Sequence, residues 1–247
     1  MLKFIADDLG LHKSVNNGII FLLKSGLIHG ASLMVNGEAF VDAIGKIKDF
    51  NDKVGIHFVL VEEKSILSNK PLIKNHKLFF LKFCLGLIKM RSIEEELRTQ
   101  INKLKEVGIK PAFINSHQHL HLLPGIMDVV IKIAKENDIN YVRLVNEPLH
   151  GKGKLFRKIQ LAFLNFLSKV ARKKLKKAGL SYNDKFIGFL NAGGLTADDL
   201  EFAKKIKNGI VEIGCHPGYE NEELRNKYKH WGKYNWEKEL HLLSHND

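Results

Sequence analysis

The chain is organised around a stretch from Pro111 to Pro124 that reads PAFINSHQHLHLLP. Its first four residues form a short β-type run, and histidines follow at every second position, as His117, His119 and His121. If the backbone stays extended there, residues two apart share a face and the three imidazoles point to one side. Imidazole is a common ligand of zinc and similar divalent ions, so the stretch predicts a metal site. The competing interpretation is a polar strand end whose histidines are solvated.

The composition is that of a globular protein. The chain has 247 residues, of which 45% are hydrophobic, which suits one large α/β domain or two small ones. Cys84 and Cys215 are the only cysteines, so a disulfide framework is not indicated and a reducing compartment is the simpler assumption. Asp7 and Asp8 leave no room for a signal peptide before them, and no apolar run is long enough to span a bilayer. We therefore expect a cytoplasmic protein.

The net charge of +12 raises the question of nucleic-acid binding. The distribution of the charge argues against it. Ten basic residues and no acidic one lie between Lys152 and Lys177, so nearly the whole excess sits in that segment. The rest of the chain is close to neutral, and no nucleic-acid partner is expected.

Short apolar and β-branched runs alternate with stretches of helical periodicity along the chain. The predicted strands are Leu2–Ala6, Ala31–Asn36, Val54–Leu60, Pro111–Ile114, Tyr141–Val145, Lys185–Leu190 and Ile210–Cys215. The predicted helices are Val15–Leu27 behind a Ser14 cap, Glu38–Phe50, Ser92–Gly108 opened by a capping box, Gly125–Asn137, Leu155–Lys177, one capped by Thr196, and Trp236–Leu243. Residues 61–91 lack clear periodicity and predict a long loop.

Seven strands that alternate with helices indicate a parallel sheet, either closed as a barrel or doubly wound. Polar residues fall at or just inside the C-terminal ends of the predicted strands. They are Asp7, Asp8, His57, His117, Arg143 and His216. Barrel enzymes gather their catalytic groups at that end, whereas an open sheet concentrates them near one switch point. We therefore predict an α/β fold, a distorted seven-stranded (β/α) barrel that forms a single catalytic domain over residues 1–247.

Several common catalytic motifs are missing from the sequence. Neither the Gly-x-Gly-x-x-Gly pattern nor the Walker pattern occurs, which argues against nucleotide chemistry. No Gly-x-Ser-x-Gly elbow supports a serine hydrolase. Cys215 stands beside His216, but adjacent residues of a strand face opposite ways, so a buried thiol is favoured over a nucleophile.

Six short motifs occur in order between residue 4 and about residue 219. They are Ala6-Asp7-Asp8-Leu9-Gly10 with Asn16 and Gly18-Ile19, Leu33-Met34-Val35-Asn36-Gly37, Gly55-Ile56-His57-Phe58, Ser116-His117-Gln118-His119-Leu120-His121, Arg143 with Pro148, and Cys215-His216-Pro217-Gly218. Together they resemble the YdjC-like carbohydrate deacetylase family, which includes chitooligosaccharide deacetylases and the hopanoid biosynthesis-associated HpnK proteins. The resemblance implies a (β/α) barrel related to polysaccharide deacetylases, a divalent metal ion and the removal of acetyl groups from N-acetylated sugars.

The resemblance also assigns roles to residues. It places the metal ligands on Asp8, His57 and His117 and the base on Asp7; one carboxylate and two imidazoles leave positions open for water and substrate. Such a set suits Mg²⁺, Zn²⁺ and other divalent ions, and the sequence does not choose between them. His216 is the candidate acid for the leaving amine. Supporting or substrate-binding roles are expected for Asn36, His119, His121 and Arg143.

Two features depart from the family pattern. The family commonly has Asp-Ser-His where this chain has Asn115-Ser116-His117, so a carboxylate expected to act on His117 is missing. The segment from Leu155 to Lys177 is longer and more basic, which would suit a lipid-linked or anionic substrate. Its apolar stripe is predicted to pack on the body of the protein, with peripheral contact to an anionic membrane as the alternative. The stripe consists of Leu155, Ile159, Phe163, Phe166 and Val170.

Two other functions stay open at this point. An amidohydrolase-type metal hydrolase acting on another amide would be expected to carry His-x-His at the end of the first strand, where this chain has Asp7-Asp8. A basic protein with a vestigial metal site would bind membranes or other anionic surfaces through residues 155–177. The sequence is compatible with an oligomer and does not name the sugar.

Overall fold

A computed structural model describes residues 1–150, 155–232 and 234–245 of the chain. In this part of the chain six strands form one parallel sheet. The strands are β1 Leu2–Leu9, β2 Gly30–Leu33, β3 Val54–Phe58, β4 Ile114–Ser116, β5 Lys185–Ile187 and β6 Val211–Cys215. Their order across the sheet is β4-β3-β2-β1-β6-β5, so β1 pairs with β2 on one side and with β6 on the other.

Helices alternate with the strands, as predicted. The α-helices of the described residues are α1 Lys13–Lys24, α2 Phe40–Lys46, α3 His76–Cys84, α4 Met90–Glu106, α5 Ile126–Glu136, α6 Leu155–Ala178, α7 Ala197–Lys204, α8 Glu222–Lys227 and α9 Trp236–Ser244. All residues of β3 and β6 are buried, as is usual for parallel strands that are covered on both faces. Thr196 caps α7 through a capping box with Asp199, which confirms the predicted cap.

The sheet curls into a half-barrel whose two edges are linked by residues 141–146. Ile114 of β4 pairs with Val142, and Tyr141 pairs with Ser181, shortly before β5. The backbone N–H of Phe186 in β5 donates to the carbonyl of Asn146 at 3.2 Å. The predicted α/β barrel is confirmed, but its seventh strand is reduced to isolated bridges.

Several helix predictions need correction. Residues 61–91 are not a plain loop, because α3 lies within them behind an Asn75 cap. Helix α4 begins before the predicted capping box, and no side chain caps it. His12 rather than Ser14 caps α1, since His12 Nδ1 accepts from Ser14 N at 3.2 Å. The predicted helix Glu38–Phe50 is divided into α2 and the 3-10 segment Lys48–Lys53.

The histidine run does not continue as a strand. Strand β4 ends at Ser116, and His117–Leu122 form a 3-10 segment in which Gln118 and His119 both have a φ of 55°. Left-handed backbone at two successive non-glycine residues turns the chain sharply. The expectation that His117, His119 and His121 share one side of an extended strand is therefore wrong.

Helix α6 carries apolar residues on two opposite faces. Its buried face includes Leu161, Ala171 and Leu175. The stripe predicted to pack on the body lies about half a turn away at ~100° per residue, and its side chains are exposed by 38% to 75%. That packing prediction is wrong, because the residues of the other face make the contact. In the ranges that the structure describes, no helix combines the length and the apolar character that a membrane crossing needs.

Candidate active site

The end of β1 supplies two carboxylates because its backbone is irregular. The register between β1 and β2 shifts between Ala6 and Leu9, and Asp8 has a φ of 65°. Adjacent residues of a regular strand face opposite sides of the sheet. At this irregularity Asp7 and Asp8 both line one cavity, and both are buried.

Asp8, His57 and His117 form a group that could hold a metal ion. Asp8 Oδ1 lies 3.4 Å from His57 Nε2 and 3.3 Å from His117 Nδ1. One ligand atom from each residue lies within 4.8 Å of the others, and all three residues are buried. Among the described residues, Asp8 Oδ1 has no hydrogen-bond partner. An orphaned buried carboxylate oxygen beside two imidazoles is a donor set for a divalent ion, so these residues fit a metal.

His57 is oriented through its other ring nitrogen. Its Nδ1 donates to Asn115 Oδ1 at 2.6 Å and lies 3.1 Å from Ser32 Oγ. The Asn115 Nδ2 in turn donates to Asp7 Oδ1 at 3.1 Å. Position 115 therefore acts on His57 and Asp7 rather than on His117, which corrects the expectation from the sequence.

His117 lies between two carboxylates. Its Nδ1 faces Asp8, and its Nε2 lies 3.3 Å from Glu62 Oε2. Glu62 also accepts a hydrogen bond from Trp231 Nε1 at 2.8 Å. Burial lowers the pKa of His117, but the close contacts and negative charge of Asp8 and Glu62 outweigh burial and raise the pKa to about 10. Without a metal the ring of His117 is the doubly protonated imidazolium at neutral pH. A bound ion would displace one of its two protons.

Asp7 is held by a buried arginine. Arg143 donates to both carboxylate oxygens of Asp7, at 2.5 Å and 2.9 Å, and its Nε donates to Glu212 Oε1. Burial would raise the pKa of Asp7, but Arg143 and His57 hold that pKa well below its usual range. Arg143 itself is fully buried behind Asp7 and does not line the cavity. Its observed contacts position Asp7, and they do not reach the space for a ligand.

A cavity of about 610 Å³ adjoins these groups. The candidate residues in its wall are Asp7, Asp8, His57, His117, His119 and His216. Aromatic and basic side chains complete much of the wall, namely Phe186, Phe189, Trp231, Tyr234, Lys74, Lys77 and Arg157. A concave site of this size that combines aromatic surface with a few polar groups suits a small organic ligand.

His216 follows β6 and lines the same cavity. Its Nδ1 lies 3.7 Å from Glu239 Oε2 of α9, and its backbone N–H donates to the same oxygen. The ring meets Tyr234 edge-on, with centroids 5.2 Å apart. Burial lowers the pKa of His216, but Glu239 raises it above the ordinary value on balance. The cavity thus contains a histidine that retains its proton more readily than a free imidazole.

The other two histidines of the run lie in different places. His119 lines the cavity, with its ring centroid 5.7 Å from that of Phe186 and 5.8 Å from that of Phe189. Burial and the nearby Arg143 hold the pKa of His119 well below the usual value, so the ring is neutral. His121 lies outside the cavity, and its Nε2 contacts the carbonyl oxygen of Arg143 at 2.9 Å. His121 supports the backbone that carries Arg143.

Asn36 does not line the cavity. Its Nδ2 donates to the carbonyl of Lys64 at 2.6 Å and to Glu96 Oε1 at 3.3 Å. Asn36 therefore ties the segment after β3 to α4, which is a supporting position.

Comparison with known proteins places this arrangement in a family. A sequence model of the YdjC-like proteins matches residues 1–247. The chain belongs to the YdjC-like family. It is 29% identical over 226 residues to a protein named carbohydrate deacetylase from Clostridium beijerinckii, a match that covers 89% of this chain and 82% of that protein. A carbohydrate deacetylase from Brevibacillus brevis is 37% identical over 134 residues, which are 53% of this chain and 54% of that protein.

The fold of this YdjC-like chain is also found in a crystal structure from Enterococcus faecalis that bears the name cellobiose-phosphate cleavage protein. The two structures align with a TM-score of 0.75 at 18% sequence identity, over 99% of this chain and 90% of the other. At this identity the likeness establishes the shared fold.

Sequence reasoning missed two carboxylates that act on the histidines of this YdjC-like site. Glu62 is 55 residues away from His117 along the chain, and Glu239 is 23 residues away from His216. Neither belongs to a motif with ligand spacing, so only the fold brings them to the site.

Proposed function

We propose that this protein is a divalent-metal-dependent hydrolase that removes acetyl groups from N-acetylated sugars. The observation that carries the proposal is the buried group of Asp8, His57 and His117, which lines one cavity with Asp7. The names of two relatives, both carbohydrate deacetylases, support the substrate class.

Asp8, His57 and His117 would hold the ion in this proposal. A bound divalent ion supplies a Lewis acid for the acetamide carbonyl and lowers the pKa of a water molecule. Three protein ligands leave coordination positions for these two oxygens. Asn115 and Glu62 fix the orientation of the two histidine rings, a role in which such partners commonly sustain metal affinity.

Asp7 is the proposed base. It is ionised and lines the cavity, and among the described residues its Oδ2 accepts a hydrogen bond from Arg143 alone. A carboxylate oxygen has two lone pairs, so one stays available for a proton. The low pKa makes Asp7 a weak base, which suffices for a water molecule whose own pKa is lowered. Asp7 takes the proton as the water oxygen attacks the acetamide carbon.

His216 is the proposed acid. Its ring lines the cavity, and Glu239 raises its pKa above the ordinary value, which favours the protonated form. The ring gives its proton to the sugar nitrogen as the C–N bond breaks, so that acetate and a free amine are released.

The cavity wall supports a sugar as the ligand. Trp231, Tyr234, Phe186 and Phe189 give it flat apolar surface, and the charged groups lie among them. We propose an N-acetylated oligosaccharide, or the sugar head of a glycolipid, as the substrate.

The experiment measures acetate release from soluble N-acetylglucosamine oligosaccharides and from a lipid-linked N-acetyl glycoside. Protein is stripped of metal and restored separately with Zn²⁺, Mg²⁺ and Mn²⁺. Asp8→Asn and His117→Ala are compared with His241→Ala, a substitution of an exposed histidine in α9.

We expect release that depends on metal, is lost in the Asp8 and His117 variants and persists in the His241 variant. Tight metal binding without release from any substrate would contradict the acetyl-sugar assignment. Release by fully metal-free protein would contradict the metal assignment.

A further inference from the structure

Large apolar side chains are concentrated on one exposed face. Eleven of the eighteen exposed large apolar residues in the described part of the chain lie in α3, just after it, or in α6. We name this surface the α3–α6 face. It consists of Leu78, Phe80, Leu81, Leu85, Leu87, Leu155, Phe156, Ile159, Phe163, Phe166 and Val170. A cluster of this kind on a folded protein marks an interaction site.

The two helices meet, so the face is continuous. The rings of Phe80 in α3 and Phe163 in α6 contact edge to face, with centroids 5.5 Å apart. Lys77 Nζ of α3 lies 5.4 Å from the centroid of Phe156 in α6. Only Phe79 of α3 is buried, so this helix contributes little to the core and much to the surface.

The two segments that carry the face have charge of one sign. The segments from Lys64 to Arg91 and from Lys152 to Lys177 contain seventeen basic residues and no acidic one. The rest of the chain has 22 basic and 27 acidic residues and is therefore net negative. The apolar face thus lies on two segments that carry basic and no acidic residues, and of these Lys174 pairs with Asp128 of α5.

The face also begins at the cavity. Lys77 in the first turn of α3 and Arg157 in the first turn of α6 both line the cavity. The exposed apolar residues continue along both helices from these points. A partner bound to the face would therefore lie next to the cavity.

We propose that the α3–α6 face docks on the surface of an anionic lipid bilayer, with the cavity at the bilayer surface. Exposed apolar side chains enter the headgroup boundary, and the surrounding lysines and arginines meet the anionic lipids. A second copy of the chain is the weaker candidate, because two such faces would bring like charges together. The docking does not depend on the deacetylase proposal, since it rests on residues outside the catalytic group.

The experiment measures cosedimentation of the full chain with phosphatidylcholine vesicles, with and without phosphatidylglycerol. Ile159→Ser combined with Phe166→Ser removes apolar surface from the face. Phe21→Ser combined with Val41→Ser is the matched control, since both residues are exposed and lie in α1 and α2. Lys82→Glu combined with Lys169→Glu tests the charge.

We expect binding to the anionic vesicles only, weakened by added salt and reduced roughly tenfold or more in the Ile159/Phe166 and Lys82/Lys169 variants. The Phe21/Val41 control should bind like the unchanged protein. Absence of binding to anionic vesicles at low salt would overturn the proposal, as would an equal loss in the control.

Sedimentation equilibrium tests the alternative, in which a second copy of the chain binds the face. The membrane proposal would be overturned if the unchanged protein formed a dimer and did not bind vesicles, and if Ile159→Ser with Phe166→Ser abolished that dimer. The face would then be assigned to a second copy of the chain. Acetate release from a soluble oligosaccharide should be unchanged in the same variant. If this variant loses vesicle binding but releases acetate at the normal rate, docking and deacetylation are separate properties, so that either proposal can fail without the other.

Discussion

Asn115 joins the proposed metal ligands to the proposed base. Its amide oxygen accepts from the metal-ligand candidate His57, and its amide nitrogen donates to the base candidate Asp7. A carboxylate in the same place could accept from His57 but would stand as a like charge beside Asp7. The neutral amide therefore satisfies both neighbours without adding negative charge to a buried site.

Replacing Asn115 should weaken metal binding. Asn115→Ala leaves His57 Nδ1 without its 2.6 Å acceptor, so we expect metal affinity to fall about 10- to 100-fold. Asn115→Asp keeps an acceptor for His57 and should bind metal more tightly than the alanine variant. Calorimetric titration with Zn²⁺ measures both. Equal affinities for the unchanged protein and Asn115→Ala would show that the amide does not orient the ligand.

Metal binding should release a proton from His117. The pKa of this imidazole is raised to about 10, so at pH 7 the metal-free form is protonated, whereas a ligand must be neutral. Metal affinity should therefore rise with pH below 10, by about tenfold per pH unit for one displaced proton. Calorimetry in buffers of different ionisation enthalpy counts the proton. Affinity that is the same at pH 6 and pH 8 would contradict this assignment.

The alkaline limb of activity should depend on Glu239. This carboxylate holds the pKa of His216 above its ordinary value, and an acid is lost as pH rises through its pKa. In Glu239→Gln the pKa of His216 should fall, so the alkaline limb of kcat/KM should move to lower pH. A matched profile of His216→Gln should lack this limb. An alkaline limb that stays in place in Glu239→Gln would exclude His216 as the acid.

At the scale of elements, one close contact fixes α1 against the loop after β6. A Cβ on Gly18 would lie 2.6 Å from the Cα of Gly218, which is backbone and cannot rotate away. Gly45 in α2 has nothing within 4 Å of its Cβ position. The two glycines offer a matched pair, because both lie in helices and only one is enclosed.

Gly18→Ala should destabilise the protein by about 1–3 kcal/mol, because the added methyl group overpacks a backbone contact. Gly45→Ala should be neutral or stabilise it by up to about 1 kcal/mol, because alanine is favoured over glycine in a helix. Urea denaturation followed by circular dichroism gives both values. A Gly18→Ala protein as stable as Gly45→Ala would mean that α1 moves to accommodate the methyl group.

Long periodic segments and strand ends were predictable from the sequence. Helices α5 and α6 follow their apolar spacing, and β1 and β6 deliver Asp8 and His216 to the same cavity, as the barrel hypothesis requires. Helix α3 was missed because most of its apolar residues are exposed, so it has no single buried face and no helical pattern.

The histidine run was misjudged for another reason. Alternate histidines match the period of a strand, but the left-handed backbone at Gln118 and His119 is set by the surroundings of the folded chain. Sequence therefore indicated which residue types form the site. The alternate spacing did not show that only His117 of the run lies with Asp8 and His57, which the family resemblance had assigned, nor did it show which stripe of α6 faces the core.

At the scale of the whole molecule, one residue of the segment that links the sheet edges also contacts the proposed base. Residues 141–146 link the two sheet edges, and Arg143 in that segment reaches Asp7 of β1 and Glu212 of β6. A buried arginine between two carboxylates leaves both uncompensated when it is removed. Stability and activity should therefore fail together at this position.

Arg143→Met should lower the free energy of unfolding by about 3–5 kcal/mol and abolish acetate release. Arg98→Met is the matched control, because Arg98 also joins two carboxylates, Glu94 and Glu136, but on the surface. We expect the control to leave the urea midpoint and the activity nearly unchanged. Similar midpoints for the two variants would show that the buried ion pairs do not stabilise the barrel.

The irregular end of β1 has a mechanical consequence. Asp7 and Asp8 are joined by one peptide unit, so covalent geometry keeps their Cα atoms about 3.8 Å apart. His57 and His117 come from other parts of the chain, so no single peptide unit fixes their distance from Asp8. The backbone therefore ties the proposed base to the proposed ligand carboxylate. A displacement of either histidine away from Asp8 leaves the Cα spacing of the two aspartates unchanged.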